Sequence, residues 1–115
     1  MLAGERIKVY IAGPYTRPDP VENTHKACHA WRELQQLGFA PYCPHWTLLQ
    51  HLIFPEVDVN VWYEADKEWL VVCAYLLRLP GESTGADAEV ALALERGIPV
   101  VHSVDELLRR VQAVS

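Results

Sequence analysis

The sequence predicts an α/β fold: a flavodoxin-like, doubly wound parallel sheet of about four strands in the order 2-1-3-4, with helices on both faces. Strand and helix patterns alternate four times along 115 residues. Each strand run is short and continuously apolar, as expected of strands covered on both sides. Glycine–proline pairs close the first and third runs, at Gly13-Pro14 and Pro80-Gly81. Right-handed crossovers, with a reversal after the second strand, then give the order.

The elements follow in turn. Ile7–Ala12 is β-branched and stops at Gly13-Pro14, which predicts a buried first strand. Pro18 and Pro20 keep the next stretch out of a helix. From Val21, the apolar positions Ala27, Ala30, Trp31, Leu34 and Leu37 recur at three- and four-residue intervals up to Gly38, predicting one amphipathic helix. Phe39–Tyr42 is a short extended piece, and Pro41 and Pro44 place it at or near a sheet edge. Residues 45–60 carry Trp46, Leu49, Leu52, Ile53 and Phe54 without a clean period. They are too apolar for a free linker and predict a packed lid or short helix bearing pocket or interface residues. Val61 to about Cys73 is a second helix, and Ala74–Leu79 a third strand. Thr84-x-x-Asp87 has the pattern of a capping box for a third helix that ends at Gly97. Ile98–Val101 is a fourth strand, and Val104–Val114 an amphipathic terminal helix.

Composition narrows the function. The length suits a single domain over residues 1–115. Ten basic residues face fifteen acidic ones, for a net charge of −5, with no Lys/Arg cluster. Nucleic-acid polymers, which need a basic stripe to displace counterions, are therefore not expected partners. There is no apolar run of membrane-spanning length and no secretory leader pattern, so a cytoplasmic location is expected. Cys28, Cys43 and Cys73 are odd in number and show no Cys-x-x-Cys spacing, which fits reduced thiols. Four tryptophans and the apolar 45–60 segment give more apolar surface than one small core needs. A homodimer or higher homo-oligomer is expected.

In sheets of this kind, ligands sit beyond the carboxyl ends of the strands where the order reverses, here between strands one and three. The loops meeting there are Gly13-Pro14-Tyr15-Thr16-Arg17 and Gly81-Glu82-Ser83-Thr84-Gly85. Gly13, Pro14, Tyr15, Arg17, Ser83 and Gly85 are accordingly candidate substrate-binding residues, and His45 joins them from the packed segment. Glu89 falls in the first turns of the third helix among small neighbours, where a carboxylate can attack an electrophilic carbon. An acid there is also explained by the helix dipole alone. Asp66 lies in a run of acids that reads equally as a solvated helix face. Tyr10 belongs to a buried strand, and its hydroxyl needs a partner. His25 and His29 lie one helical turn apart, and Cys43, His45 and His51 form a looser set. Neither set has Cys-x-x-Cys or His-Glu-x-x-His spacing, so no metal and no cofactor are expected. Cys28 and Cys73 sit in predicted helix bodies, and no Gly-x-Ser-x-Gly elbow occurs.

Three segments in register resemble the nucleoside 2-deoxyribosyltransferase superfamily, which includes the 2′-deoxynucleoside 5′-monophosphate N-glycosidases. They are Tyr10-Ile11-Ala12-Gly13-Pro14-Tyr15, Asp66-Lys67-Glu68-Trp69-Leu70, and Ser83-Thr84-Gly85-Ala86-Asp87-Ala88-Glu89. The resemblance implies that Glu89 is the nucleophile toward the anomeric carbon of a deoxyribosyl unit. It implies further that Asp66 assists departure or reprotonation of the base, and that the Tyr10 hydroxyl orients Glu89. Ser83 stands where the monophosphate glycosidases carry serine near the phosphate. Relatives commonly have an acid where Ala74 stands, and a fifth strand that is not evident here. A neighbouring subunit often completes their pocket, and Ser103 is a candidate contributor.

Two other readings stand beside deoxyribosyl N-glycosidase or transferase. One is a non-catalytic nucleotide-binding or sensing module on the same fold. The other is a phosphoribohydrolase, whose loop is typically of the form Gly-Gly-x-Gly-Thr; this chain has only Ser83-Thr84-Gly85.

Overall fold

The computed structural model describes residues 5–55 and 58–114. The chain runs β1 (Lys8–Ala12), α1 (Pro20–Gln36), β2 (Ala40–Tyr42), a short 3₁₀ turn (Pro44–Trp46), α2 (Thr47–Ile53), α3 (Val59–Leu70), β3 (Tyr75–Arg78), α4 (Thr84–Glu95), β4 (Val100–Val101) and α5 (Val104–Val114). The strands form one parallel sheet in the order β2-β1-β3-β4, as the alternation predicts.

β1 is central and pairs on both sides, which is why its last four residues are buried. Successive side chains of a strand point to opposite faces, and here that alternation separates two cores. Val9 and Ile11 pack with Leu34 of α1 and Leu107 of α5. Tyr10 and Ala12 pack with Leu70 of α3 and Ala86 and Ala93 of α4. Helices therefore cover both faces. The alternation also decides which helices Tyr10 can meet.

Several boundaries differ from the sequence reading. Pro20 opens α1 instead of excluding a helix: its fixed φ suits the first helical position, and Asp19 caps it by accepting from the Val21 amide at 2.8 Å. The α4 cap is Ser83, one residue before the Thr84 expected, and its Oγ accepts from the Ala86 amide at 3.0 Å. Asp87 is thereby released from capping and pairs with Arg78 at 3.1 Å. α3 begins at Val59 and ends at Leu70, so Cys73 lies in the turn before β3, where its thiol donates to the Trp69 carbonyl at 3.3 Å. β3 and β4 are shorter than predicted. Within the 45–60 segment, residues 56 and 57 lie outside the described residues. The rest forms the 3₁₀ turn, α2 and the start of α3, and α2 has no buried residue. Among the described residues, no helix is long and apolar enough to cross a membrane.

Candidate active site

β1 and β2 are in register with Tyr10 opposite Tyr42, so both tyrosines face the side covered by α3 and α4. Their ring centroids are 5.5 Å apart. The Tyr10 hydroxyl donates to Glu89 Oε2 on α4, and the Tyr42 hydroxyl donates to Asp66 Oδ1 on α3 at 3.1 Å. Two carboxyls from different helices thus each carry a tyrosine hydroxyl from adjacent strands. The structure brings together Tyr10, Asp66 and Glu89.

The surroundings set the protonation of the two acids. Burial pushes Glu89 up to about 7; neighbouring Asp66 raises it too, while the Tyr10 hydroxyl and Arg78 oppose the rise. Burial pushes Asp66 up to about 6, against the stabilising hydroxyl of Tyr42. Burial also raises Tyr10, reinforced by Glu89 and Asp66, so its phenol keeps its proton and remains a donor. Interacting groups of this kind titrate as a pair, and Glu89 is the later of the two to give up its proton.

The two loops at the carboxyl end of the sheet interlock. Gly81 has φ +115°, and a Cβ there would lie 2.7 Å from Pro14 Cγ, so glycine is required on both counts. Arg78 donates to the carbonyls of Leu79 and of Gly81, the latter at 2.8 Å, and holds Asp87 as well. Its guanidinium ties the β3–α4 loop to the first turn of α4, close to Glu89. On the other loop, the Asn23 amide donates to the carbonyls of Tyr15 at 3.0 Å and Arg17 at 2.9 Å.

His45 is only 3% exposed, and its Nε2 lies 2.8 Å from the Pro14 carbonyl. A carbonyl accepts, so Nε2 carries the hydrogen. Burial lowers the imidazole's proton affinity, and the backbone of Pro14 and Gly13 opposes that fall. His45 thus meets the β1–α1 turn from inside the fold. Tyr15 lies edge-on to both His45 and Trp62, and Trp62 edge-on to His51. Arg17 is exposed at the outer end of the turn. Ser83 uses its hydroxyl as the α4 cap. At Gly85, the place a Cβ would take is held by the Tyr63 hydroxyl. Ala74 is exposed, and its amide donates to the Lys8 carbonyl at 2.9 Å.

Sequence reasoning missed Tyr42, Tyr63, Arg78 and Asn23. A tyrosine in register with Tyr10 was the available signal for Tyr42, but it requires the strand pairing to be known. His25 and His29 have their rings 4.5 Å apart, and no group of three metal-ligating side chains occurs among the described residues. A groove of about 560 Å³ lies elsewhere, between α1 and the β4–α5 turn, lined by His29, Arg32, His102 and Ser103 among others. Neither Glu89 nor Asp66 lines it.

No family model matches the sequence, and no curated protein matches it significantly. Solved structures do match. A 2-deoxyribosyltransferase from the psychrotolerant bacterium Bacillus psychrosaccharolyticus superposes with a TM-score of 0.60 at 22% identity, over 81% of this chain and 69% of that one. A conserved protein from Enterococcus faecalis V583 superposes with a TM-score of 0.65 at 20% identity, over 96% of this chain and 75% of that one. The chain therefore has the fold of a 2-deoxyribosyltransferase, as its three motifs led one to expect.

Proposed function

We propose that this protein cleaves the N-glycosidic bond of a deoxynucleoside 5′-monophosphate or deoxynucleoside, with Glu89 as nucleophile and Asp66 as acid. The observation that carries the reading is the pair of tyrosine-held carboxyls, set at the carboxyl end of a sheet shared in fold with a deoxyribosyltransferase.

A Glu89 oxygen attacks the anomeric carbon as the bond to the base nitrogen breaks. The electron pair leaves with the base, which takes the Asp66 proton. The oxocarbenium-like transition state is stabilised by the nearby carboxylate, and collapse gives a glycosyl ester of Glu89. Water then attacks the same carbon and loses its proton to Asp66, restoring both residues with retention of configuration. An acceptor base in place of that water gives transfer. The Tyr10 hydroxyl holds Glu89 in line and returns to it when the ester breaks.

The β1–α1 turn, with Gly13, Pro14, Tyr15 and Arg17 braced by His45, forms one wall for the substrate. The start of α4 forms the other; with the Ser83 hydroxyl engaged by the Ala86 amide and the Tyr63 hydroxyl over Gly85, what Ser83 and Gly85 offer a substrate is backbone. First-turn amides of a helix have no intrahelical partner and suit an anion, which favours a monophosphate. No cofactor is needed for this chemistry. Small-molecule substrates of this class and free thiols at Cys28, Cys43 and Cys73 suit the cytoplasm. The exposed apolar residues of α2 support assembly into a homodimer or higher homo-oligomer.

The test is release of free base from a panel of deoxynucleoside monophosphates and deoxynucleosides, by wild type beside Glu89→Ala. Release by wild type that disappears in the variant is expected. Monophosphate binding without release from any member would replace this reading with the sensing module.

A further inference from the structure

We propose that Tyr42 is a positioning residue for Asp66, its hydroxyl orienting the carboxyl and tuning its proton affinity. The role rests on the reading of Asp66 as the acid.

Tyr42 is held on three sides. Its ring lies 5.5 Å from that of Tyr10 and is stacked on Trp69 at 5.6 Å and 23°. Its hydroxyl reaches Asp66 at 3.1 Å. Asp66 and Trp69 are three residues apart on α3 and so share one helix face. α3 therefore grips Tyr42 with a ring and a carboxyl at once, while the strand pairing places the phenol against Tyr10. Asp66, 9% exposed, has little water to fix its orientation. The neighbouring phenol does not compete, because the Tyr10 hydroxyl is engaged with Glu89.

A hydroxyl is suited to this task because it both donates and accepts. When Asp66 is ionised, the phenol donates to it. When Asp66 carries its proton, the carboxyl has a donor and the phenol oxygen an acceptor to offer. An acid that loses and regains one proton per turnover is thus held in both states. The proton itself moves between Asp66 and the base, then from water back to Asp66, and Tyr42 ends each cycle unchanged.

The groups acting on this pair come from several elements. Glu89 on α4 and Tyr10 on β1 interact with Asp66, as does Tyr63 on α3. Cys43 and Cys73 act on Tyr42, and Lys8 lies near Cys73. Arg78 acts on Glu89. None of these supplies the hydrogen bond that Tyr42 gives to Asp66, and that bond favours the ionised carboxylate.

Tyr42→Phe keeps the ring between Tyr10 and Trp69 and deletes one oxygen. Carboxyl carbon NMR of Asp66, in wild type and variant, reads the hold without requiring any activity. The Asp66 midpoint is expected to rise by about half a unit to one unit in the variant, the size of one hydrogen bond. In base release, kcat is expected to fall about tenfold with KM within twofold, and the lower apparent constant of the pH profile to move up with the Asp66 midpoint. Tyr42→Leu, which removes ring and hydroxyl together, should move the Asp66 midpoint at least as far. An Asp66 midpoint unchanged in Tyr42→Phe overturns the proposal, and with wild-type base release intact it leaves the glycosidase reading standing. A moved midpoint in a protein that releases no base supports the hold and overturns the glycosidase reading alone.

Discussion

Tyr10 and Tyr42 are register partners on neighbouring strands, yet their hydroxyls serve different helices: Tyr10 reaches Glu89 on α4, and Tyr42 reaches Asp66 on α3. Parallel pairing brings the phenols side by side, and each draws in one carboxyl. Two acids that water would hold apart are thereby seated in one partly dry place.

The first consequence is a bell-shaped pH profile for base release. On the proposed mechanism turnover requires Glu89 ionised and Asp66 protonated, so the working form carries one proton on the pair, in the less populated of its two arrangements because Glu89 is the weaker acid. Burial raises the two groups to about 7 and about 6. Activity is expected to peak between these values and to fall on both sides, with apparent constants that belong to the pair. A plot of kcat/KM that stays flat from pH 5 to 8 would count against the assignment.

Stability should run against activity at this site. Both carboxyls bind protons more tightly in the folded state than their ordinary values of 3.8 and 4.5 allow in the unfolded chain. Their favourable contribution is complete below those ordinary values and is lost as pH climbs through about 6 and about 7. Above that window the fold carries two buried charges. Glu89→Gln removes one and keeps an acceptor for the Tyr10 hydroxyl. It should stabilise the protein at pH 8 by on the order of 1–3 kcal/mol, and by almost nothing near pH 4. Urea unfolding at the two pH values checks this, and the same variant should release no base.

Gly85 tests how closely α3 approaches α4. An alanine Cβ would collide with the Tyr63 hydroxyl, although alanine is otherwise the better helix former by about 1 kcal/mol. Gly85→Ala alone should change stability by no more than about 1 kcal/mol, because the Tyr63 hydroxyl is the far end of a partly exposed side chain and can swing aside. With Tyr63→Ala in the background, the same change should turn neutral or favourable. A double-mutant cycle in urea that gives a coupling near zero would show that the close approach carries no energy.

The face of α2 bears on assembly. Leu49 and Leu52 are each 66% exposed, with Ile53 and Phe54 beside them in sequence and also exposed. Light scattering after size exclusion should report a dimer or larger species at micromolar protein, and Leu49→Glu with Leu52→Glu should return it toward 13.0 kDa. A wild-type protein that elutes as a clean monomer would exclude self-association through this face.

Local rules carried the sequence reading a long way. Strand alternation, the glycine–proline stops and the helical period of α1 are relations within a few residues, and they specified the strand order and the crevice between β1 and β3. Tyr10, Asp66 and Glu89 could be named because each lies in a compact motif. The partners of those residues could not. Tyr42 is 24 residues from Asp66, and Tyr10 is 79 from Glu89, so no periodicity links them. Tyr42 looked like part of an edge piece between two prolines, and only its register with Tyr10 gives it a role.

Even a one-residue question needed the folded chain. Ser83 and Thr84 are equally good caps by chemistry, and the choice of Ser83 leaves Asp87 for Arg78, which stands nine residues before it. The sequence by itself therefore determined the layers and the strand order, because burial patterns and turn chemistry act locally, while Tyr10, Asp66 and Glu89 were singled out by resemblance to a known family. Only the tertiary structure decided which hydroxyl holds which acid and which apolar helix face the chain leaves uncovered, because those outcomes depend on packing between elements distant in the chain.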